Sequence, residues 1–384
     1  MLSAALTSGA FGQAPAAVER AAARSPLVQS SIVFLTAQAR LITDRQLRLQ
    51  TLDAITNPAT CVQHRRNLDA DAQRGIVTEL TRDTLLAAMP LDAALAGVFP
   101  PLRDDQAACP KLRQSFRSSA GSSMGHHDYP GGLPVHEAYN LRGGLALAGI
   151  NTTMYLRPGG EAGPMLDVDV IRAAILWHDW AKAIVLGWQD DGTLTPEIQI
   201  AGTGAHHIIG VAEAMARQLS IAEVLAQVSS HASPGLRANA EIVRWLRAAA
   251  IIARCDPVAS GYLVRTPAGQ WQLPTLFAGH GDSLADGNPV AFSAFPEAAI
   301  VNVSDENLFS IAASAQVEPL LAILAPLWHY APADAATYRN NFRNPVLSHD
   351  GADRLALLFA RGGRGAVRRE LDRLRGLGVF QAAH

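Results

Sequence analysis

The run from 171 to 188, IRAAILWHDWAKAIVLGW, sets a histidine beside an aspartate in a stretch of helical, apolar character. The stretch is apolar in character, so a fold built on it is expected to bury the pair. A buried imidazole and carboxylate are costly unless they are paired, hydrogen-bonded or coordinated. Any architecture open to this chain must therefore bring partners to His178 and Asp179 from elsewhere.

Suitable partners recur at intervals of roughly 25 to 45 residues: His136, then His206-His207, His231 and Asp256. Seven of the twelve histidines fall between 126 and 231. Taken singly, each reads more naturally as a satisfied core or surface residue; the joint pattern reverses that and reads as a metal site. Imidazole and carboxylate suit zinc, iron, manganese and related divalent ions, and a cluster offering both can hold two ions sharing a bridging carboxylate. Consecutive helical residues point about 100° apart, so His178 and Asp179 can both reach ions just above their helix, with Asp179 as the bridge.

Around these residues the apolar spacing is helical and predicts an all-α protein. One helical region runs from Pro26 to about Asn57, stopped by Asn57-Pro58, and another from about Asp69 to Met89. A loop with Phe99-Pro100-Pro101 and Ser118 to Gly125 follows. Five helices are expected at about 133–149, 167–187, 205–218, 220–231 and 238–262, placing His136 early in the first, His206 or His207 at the start of the third, His231 at the end of the fourth and Asp256 within the last. Residues 190–204 suggest a short hairpin or lid, 263–300 is irregular, and helix returns at about 304–329 and 352–378. The 384 residues exceed the usual single-domain size. They divide into 1–25 (a residual signal or disordered terminus), a helical region at 26–117, a metal-binding domain at 118–262, and an irregular and helical region at 263–384.

Hydrophobic residues at 49% against 17% charged exclude disorder and coiled coil. A net charge of −2 and sparse aromatics disfavour nucleic acid as partner, and the arginines of the last helix, Arg361 to Arg375, read as a solvated face rather than an anion-binding one. No uninterrupted apolar run reaches eighteen residues, so no transmembrane segment is expected. Residues 1–16 end in small residues like a secretory signal but lack its basic start. They fit a truncated signal or an ordinary mobile terminus. Cys61 and Cys109 would pair in an exported chain and stay reduced otherwise, so periplasmic or secreted and cytoplasmic locations stand level; Cys255 reads as core. Lysine occurs only at Lys111 and Lys182. Lys182 rises on the same helical face as His178 and Asp179, placed to hold a substrate phosphate or to form a salt bridge with Asp179.

The order His136, His178-Asp179, Asp256, with His206 and His231 between, resembles the HD superfamily of metal-dependent phosphohydrolases in its dinuclear branch. HHDYPGGLPVH (126–136) is similar to the HH.Y.GGL..H motif of exoribonuclease-like and relaxase-associated HD proteins, and HDWAK (178–182) to HDIGK, with the bulky Trp180 as a departure. The likeness covers about 118–262; the flanks resemble no known family. It implies an HD-domain helical bundle with added helical N- and C-terminal regions and two divalent ions, Mn, Fe, Mg or Zn. His136, His178, Asp179, His206, His231 and Asp256 would be the ligands. Asp179 and Lys182 would be catalytic in hydrolysis of a small phosphoester, mono- or diester. Related members place glycine four residues after the ligand, so Gly210 selects His206 and sets His207 behind it. His126 and His127 would lie at the substrate mouth or cap the loop. The same ligands serve di-iron oxygenases that cleave C–C or C–P bonds, and a non-catalytic metal- or nucleotide-binding sensor is the third reading. Oligomeric state is left open.

Overall fold

A computed structural model of the chain describes residues 16–105, 107–123, 125–155, 166–232, 239–274, 295–305 and 307–383; the expected signal segment lies mostly outside them. The fold is all-α. Three helices open the described chain: α1 (Ala16–Arg24), α2 (Pro26–Arg40) and α3 (Arg45–Thr56). The starts of α2 and α3 follow from their caps, since Ser25 and Asp44 accept hydrogen bonds from the N–H groups of Val28 and Leu47. Next come α4 (Ala70–Arg82) and α5 (Leu91–Val98).

The middle is built from α6 (Gly132–Tyr155), α7 (Val168–His178), the single turn α8 (Lys182–Val185), α9 (Ala205–Ala216), α10 (Ile221–Val228) and α11 (Asn239–Ala253). The expected hairpin is present at small scale: β1 (Gln199–Ile200) pairs antiparallel with β2 (Thr203–Gly204). A second hairpin joins β3 (Val264–Arg265) to β4 (Trp271–Gln272). The chain closes with α12 (Pro296–Ser304), α13 (Leu308–Leu324), α14 (Ala335–Tyr338) and α15 (Asn344–Gly376), the last broken at Gly351 and at Gly362-Gly363.

One apolar core runs from Leu35 of α2 through the middle helices to Val301 of α12, so the N-terminal region and the middle share their interior. Trp177 and Trp180, back to back on the α7 end, tie α3 to this core: their indole N–H groups donate to Thr51 Oγ1 at 3.0 Å and to the Ala54 carbonyl at 2.9 Å. The bulk of Trp180 thus has a place against α3. A second apolar cluster, from Ala313 to Phe380 with Tyr129, holds the C-terminal helices together. The expected basic face of α15 is largely exposed, and Arg373 and Arg354 pair there with Glu370.

Pro296–Trp328 is, by length and composition, apolar enough to cross a membrane, because its average survives the polar residues that interrupt an unbroken run. Less than half of its most apolar window is buried, and α12 ends at Ser304 before α13 begins at Leu308. The residue at that end is Asp305.

Candidate metal centre

Two boundaries differ from the helical reading, and both affect the site. Helix α7 stops at His178, and Asp179 is its C-cap with φ −110° and ψ 1°; the turn swings the carboxylate inward while His178 stays on the helix. Helix α11 stops at Ala253, followed by Arg254 at φ 55° and then Pro257, which cannot continue a helix. Asp256 is consequently exposed, and its Oδ1 accepts from the N–H groups of Val258 at 2.8 Å and Ala259 at 3.2 Å. Asp256 belongs to a surface turn, not to the cluster.

Asp305, capping α12, takes the place expected of it. Its Oδ1 stands 3.2 Å from His136 Nε2 and 3.3 Å from His178 Nε2, and its Oδ2 stands 3.6 Å from His231 Nε2. Asp179 reaches the same histidines from the other side: Oδ2 lies 2.8 Å from His136 Nε2 and 3.5 Å from His178 Nε2, whereas Oδ1 lies 3.3 Å from His206 Nε2. Two groups that could each hold a metal ion result, His136, His178, Asp179 and Asp305 on one side and Asp179, His206 and His231 on the other, joined through Asp179.

The histidines are oriented from behind. His178 Nδ1 donates to the Ile175 carbonyl at 2.7 Å, with Glu137 Oε2 3.5 Å away, and His206 Nδ1 donates to Glu197 Oε2 at 2.7 Å. Both rings then turn Nε2 toward the carboxylates, the arrangement in which an outer carboxylate or carbonyl fixes the tautomer of a metal ligand. His207 points elsewhere, its Nε2 3.1 Å from the Val228 carbonyl and its ring stacked on His231 at 4.3 Å. Of the adjacent pair, His206 is the one that meets Asp179. Asn140 is a contributor that sequence reading missed: its Nδ2 donates to Asp305 Oδ1 at 2.9 Å and lies 3.0 Å from His136 Nε2. It falls one helical turn after His136, the signal that could have marked it.

Lys182 forms the salt bridge allowed for it, donating to Asp179 Oδ2 and, at 2.5 Å, to the Gly121 carbonyl. His126 and His127 stand against His136, with ring centres 5.4 and 5.5 Å from it. The GG of the 126–136 motif makes that approach possible: Gly131 has φ +81°, and a Cβ on Gly132 would overlap the His127 carbonyl oxygen.

At His178 and Asp179 neighbouring charges outweigh burial. Burial alone would favour neutral His178, yet Glu137, Asp179 and Asp305 hold its pKa well above the ordinary imidazole value. Burial would likewise raise Asp179, but Lys182, His178, His136 and His206 hold it well below the usual carboxylate range. Glu137, buried and beside Asp179, is pushed up to about 7.

The donor set fits a divalent ion. Asp179 Oδ1 and His206 Nε2 are buried and face one another at 3.3 Å with no hydrogen bond to any other group among the described residues, a costly condition that coordination relieves. The Cys61–Cys109 disulfide lies apart, in the N-terminal region, with Cα atoms 5.3 Å apart. No family model matches this chain, and neither a curated protein nor a solved structure matches it.

Proposed function

We propose that this chain is a metal-dependent phosphohydrolase of the HD type, hydrolysing a small phosphoester at a centre of two divalent ions bridged by Asp179. One observation carries the reading: the two oxygens of Asp179 face different histidine groups, Oδ2 toward His136 and His178, Oδ1 toward His206. Mn, Fe, Mg and Zn all suit such ligands. Bound there, divalent ions supply Lewis acidity, lowering the pKa of water and neutralising phosphoryl oxygens.

The chain's own residues do the rest. Glu197 and the Ile175 carbonyl hold the imidazoles in the tautomer that presents Nε2. Asp305, with one oxygen toward each histidine group, closes the centre opposite Asp179. Lys182 spends two of its three N–H donors on Asp179 and Gly121, which leaves one for a phosphoryl oxygen. The disulfide supports a site of action in an oxidising compartment, periplasmic or secreted.

The test is an Asp179→Ala variant, assayed for bound metal and for release of p-nitrophenol from generic phosphate mono- and diesters with each of several metals. Loss of both metal and turnover is expected. Retained turnover overturns the proposal, as does an aerobically purified, iron-loaded protein that consumes oxygen and hydrolyses no ester.

A further inference from the structure

His126, His127 and His136 form a second constellation beside the bridged centre. Their ring centres are 5.4, 5.4 and 5.5 Å apart, and one ligand nitrogen of each lies within 4.8 Å of the other two. Around a tetrahedral ion bound at about 2.0–2.1 Å, three imidazoles stand with ring centres roughly 5 Å apart. The ring separations therefore match a tri-histidine face with little movement.

Packing alone does not account for the arrangement. His127 is 3% exposed, and its Nδ1 has no hydrogen-bond partner among the described residues; the Nδ1 of His136 is in the same condition. Three converging imidazoles, two of them buried with an unsatisfied nitrogen each, cost free energy that a bound cation would return. The backbone is shaped to hold them. His127 adopts φ 52°, rare for a residue other than glycine, and the Gly121 N–H donates to its carbonyl at 2.9 Å. Asp128, next in sequence, is clamped by the buried Arg343, whose Nη2 lies 2.8 Å from its Oδ1 and which also donates to the Asp128 carbonyl at 2.8 Å.

We propose that His126, His127 and His136 bind a further divalent cation, resting on the Asp179-bridged centre for the total count: His136 would face that centre through Nε2 and the further ion through Nδ1, its ring proton released to solvent on metal binding so that it bridges as an imidazolate. Three imidazoles without a carboxylate select zinc, cobalt or iron(II) over magnesium or calcium. His126 is half-buried, so the fourth position opens toward solvent, where an anionic oxygen of the phosphoester enters. The ion is thus a binding point for substrate outside the bridged pair.

The experiment is titration of chelator-stripped protein with cobalt(II), followed by visible absorption, with zinc counted by mass spectrometry after gel filtration. The wild type should take up three equivalents, and His126→Gln and His127→Gln two each, with KM for ester raised. The half-exposed His126 decides the matter if His127→Gln fails to fold, as thermal melting would reveal. A wild type that saturates at two, or a His126→Gln variant that loses no equivalent, overturns the third site and leaves the bridged centre standing. If Asp179→Asn keeps every equivalent, the bridged centre itself falls.

Discussion

Asp305 reaches His178 across 127 residues of chain, placing Oδ1 3.3 Å from Nε2. Asp256, nearer in sequence, faces solvent. The two aspartates separate cleanly by mutation. Asp305→Asn should weaken metal binding by at least about 10–100-fold, the range measured for outer-shell partners alone, whereas Asp256→Asn should bind metal as the wild type does. Isothermal titration of both variants with zinc checks this; equal weakening would return Asp256 to the site.

Glu197 acts on His206 from behind, through the 2.7 Å contact to Nδ1 and a second one at 3.1 Å to the His206 N–H. Glu197→Ala frees the ring and should cost about 10–100-fold in metal affinity. Glu197→Gln keeps an acceptor and should recover most of it. Affinity measured by competition with a chromogenic chelator distinguishes orientation from simple loss of packing, which the glutamine would repair in KM and melting temperature alike.

Glu223 on α10 is fully buried, and both its carboxylate oxygens lack a hydrogen-bond partner among the described residues. Burial pushes its pKa from 4.5 up to about 8. Between those values the native protein keeps a proton that the unfolded chain has released, so this group costs stability increasingly as pH rises through that window. Glu223→Gln should match the wild type at pH 4 and exceed it at pH 7.5 by about 4 kcal/mol, from nearly three pH units at about 1.36 kcal/mol each. Urea unfolding at the two pH values measures the difference; a pH-independent gap would mean that Glu223 ionises freely in the fold.

Cys61 and Cys109 close a loop of sequence separation 48. The chain entropy that such a cross-link removes from the unfolded state is worth about 4 kcal/mol, and measured effects typically run about 2–4 kcal/mol. The Cys61→Ser, Cys109→Ser double variant should lose stability in that range, while binding the same number of metal equivalents, since neither cysteine belongs to the His/Asp groups that could hold an ion. Free-thiol counting on protein from an oxidising and a reducing host establishes where the bond forms.

Much of the centre was legible in sequence because its ligands announce themselves by type. A His-Asp pair inside an apolar run has few structural uses, and the adjacent His206-His207 at a helix start offers one ring to the interior on either choice. What failed was distance and register. Asp256 looked helical because IIARC continues the apolar spacing of α11, but the turn at Arg254 and the following Pro257 end the helix before it. Asp305 gave no comparable signal: a lone aspartate at a helix end is common, and it lay in a region assigned to the C-terminal part. Glu197, Asn140 and Glu137 act through hydrogen bonds and proximity that arise only when the helices pack.

Residue chemistry and local periodicity, both readable along the chain, determined that this protein is helical, that it buries imidazoles and carboxylates together, and that Asp179 stands among them. Tertiary structure decided which carboxylate completes the set, that His206 rather than the equally buried His207 meets Asp179, and that a second histidine group stands beside the first. The reason is physical: a ligand set is defined by side chains within a few ångströms of one point, and the ending of a helix one residue sooner or later turns a carboxylate toward that point or away from it.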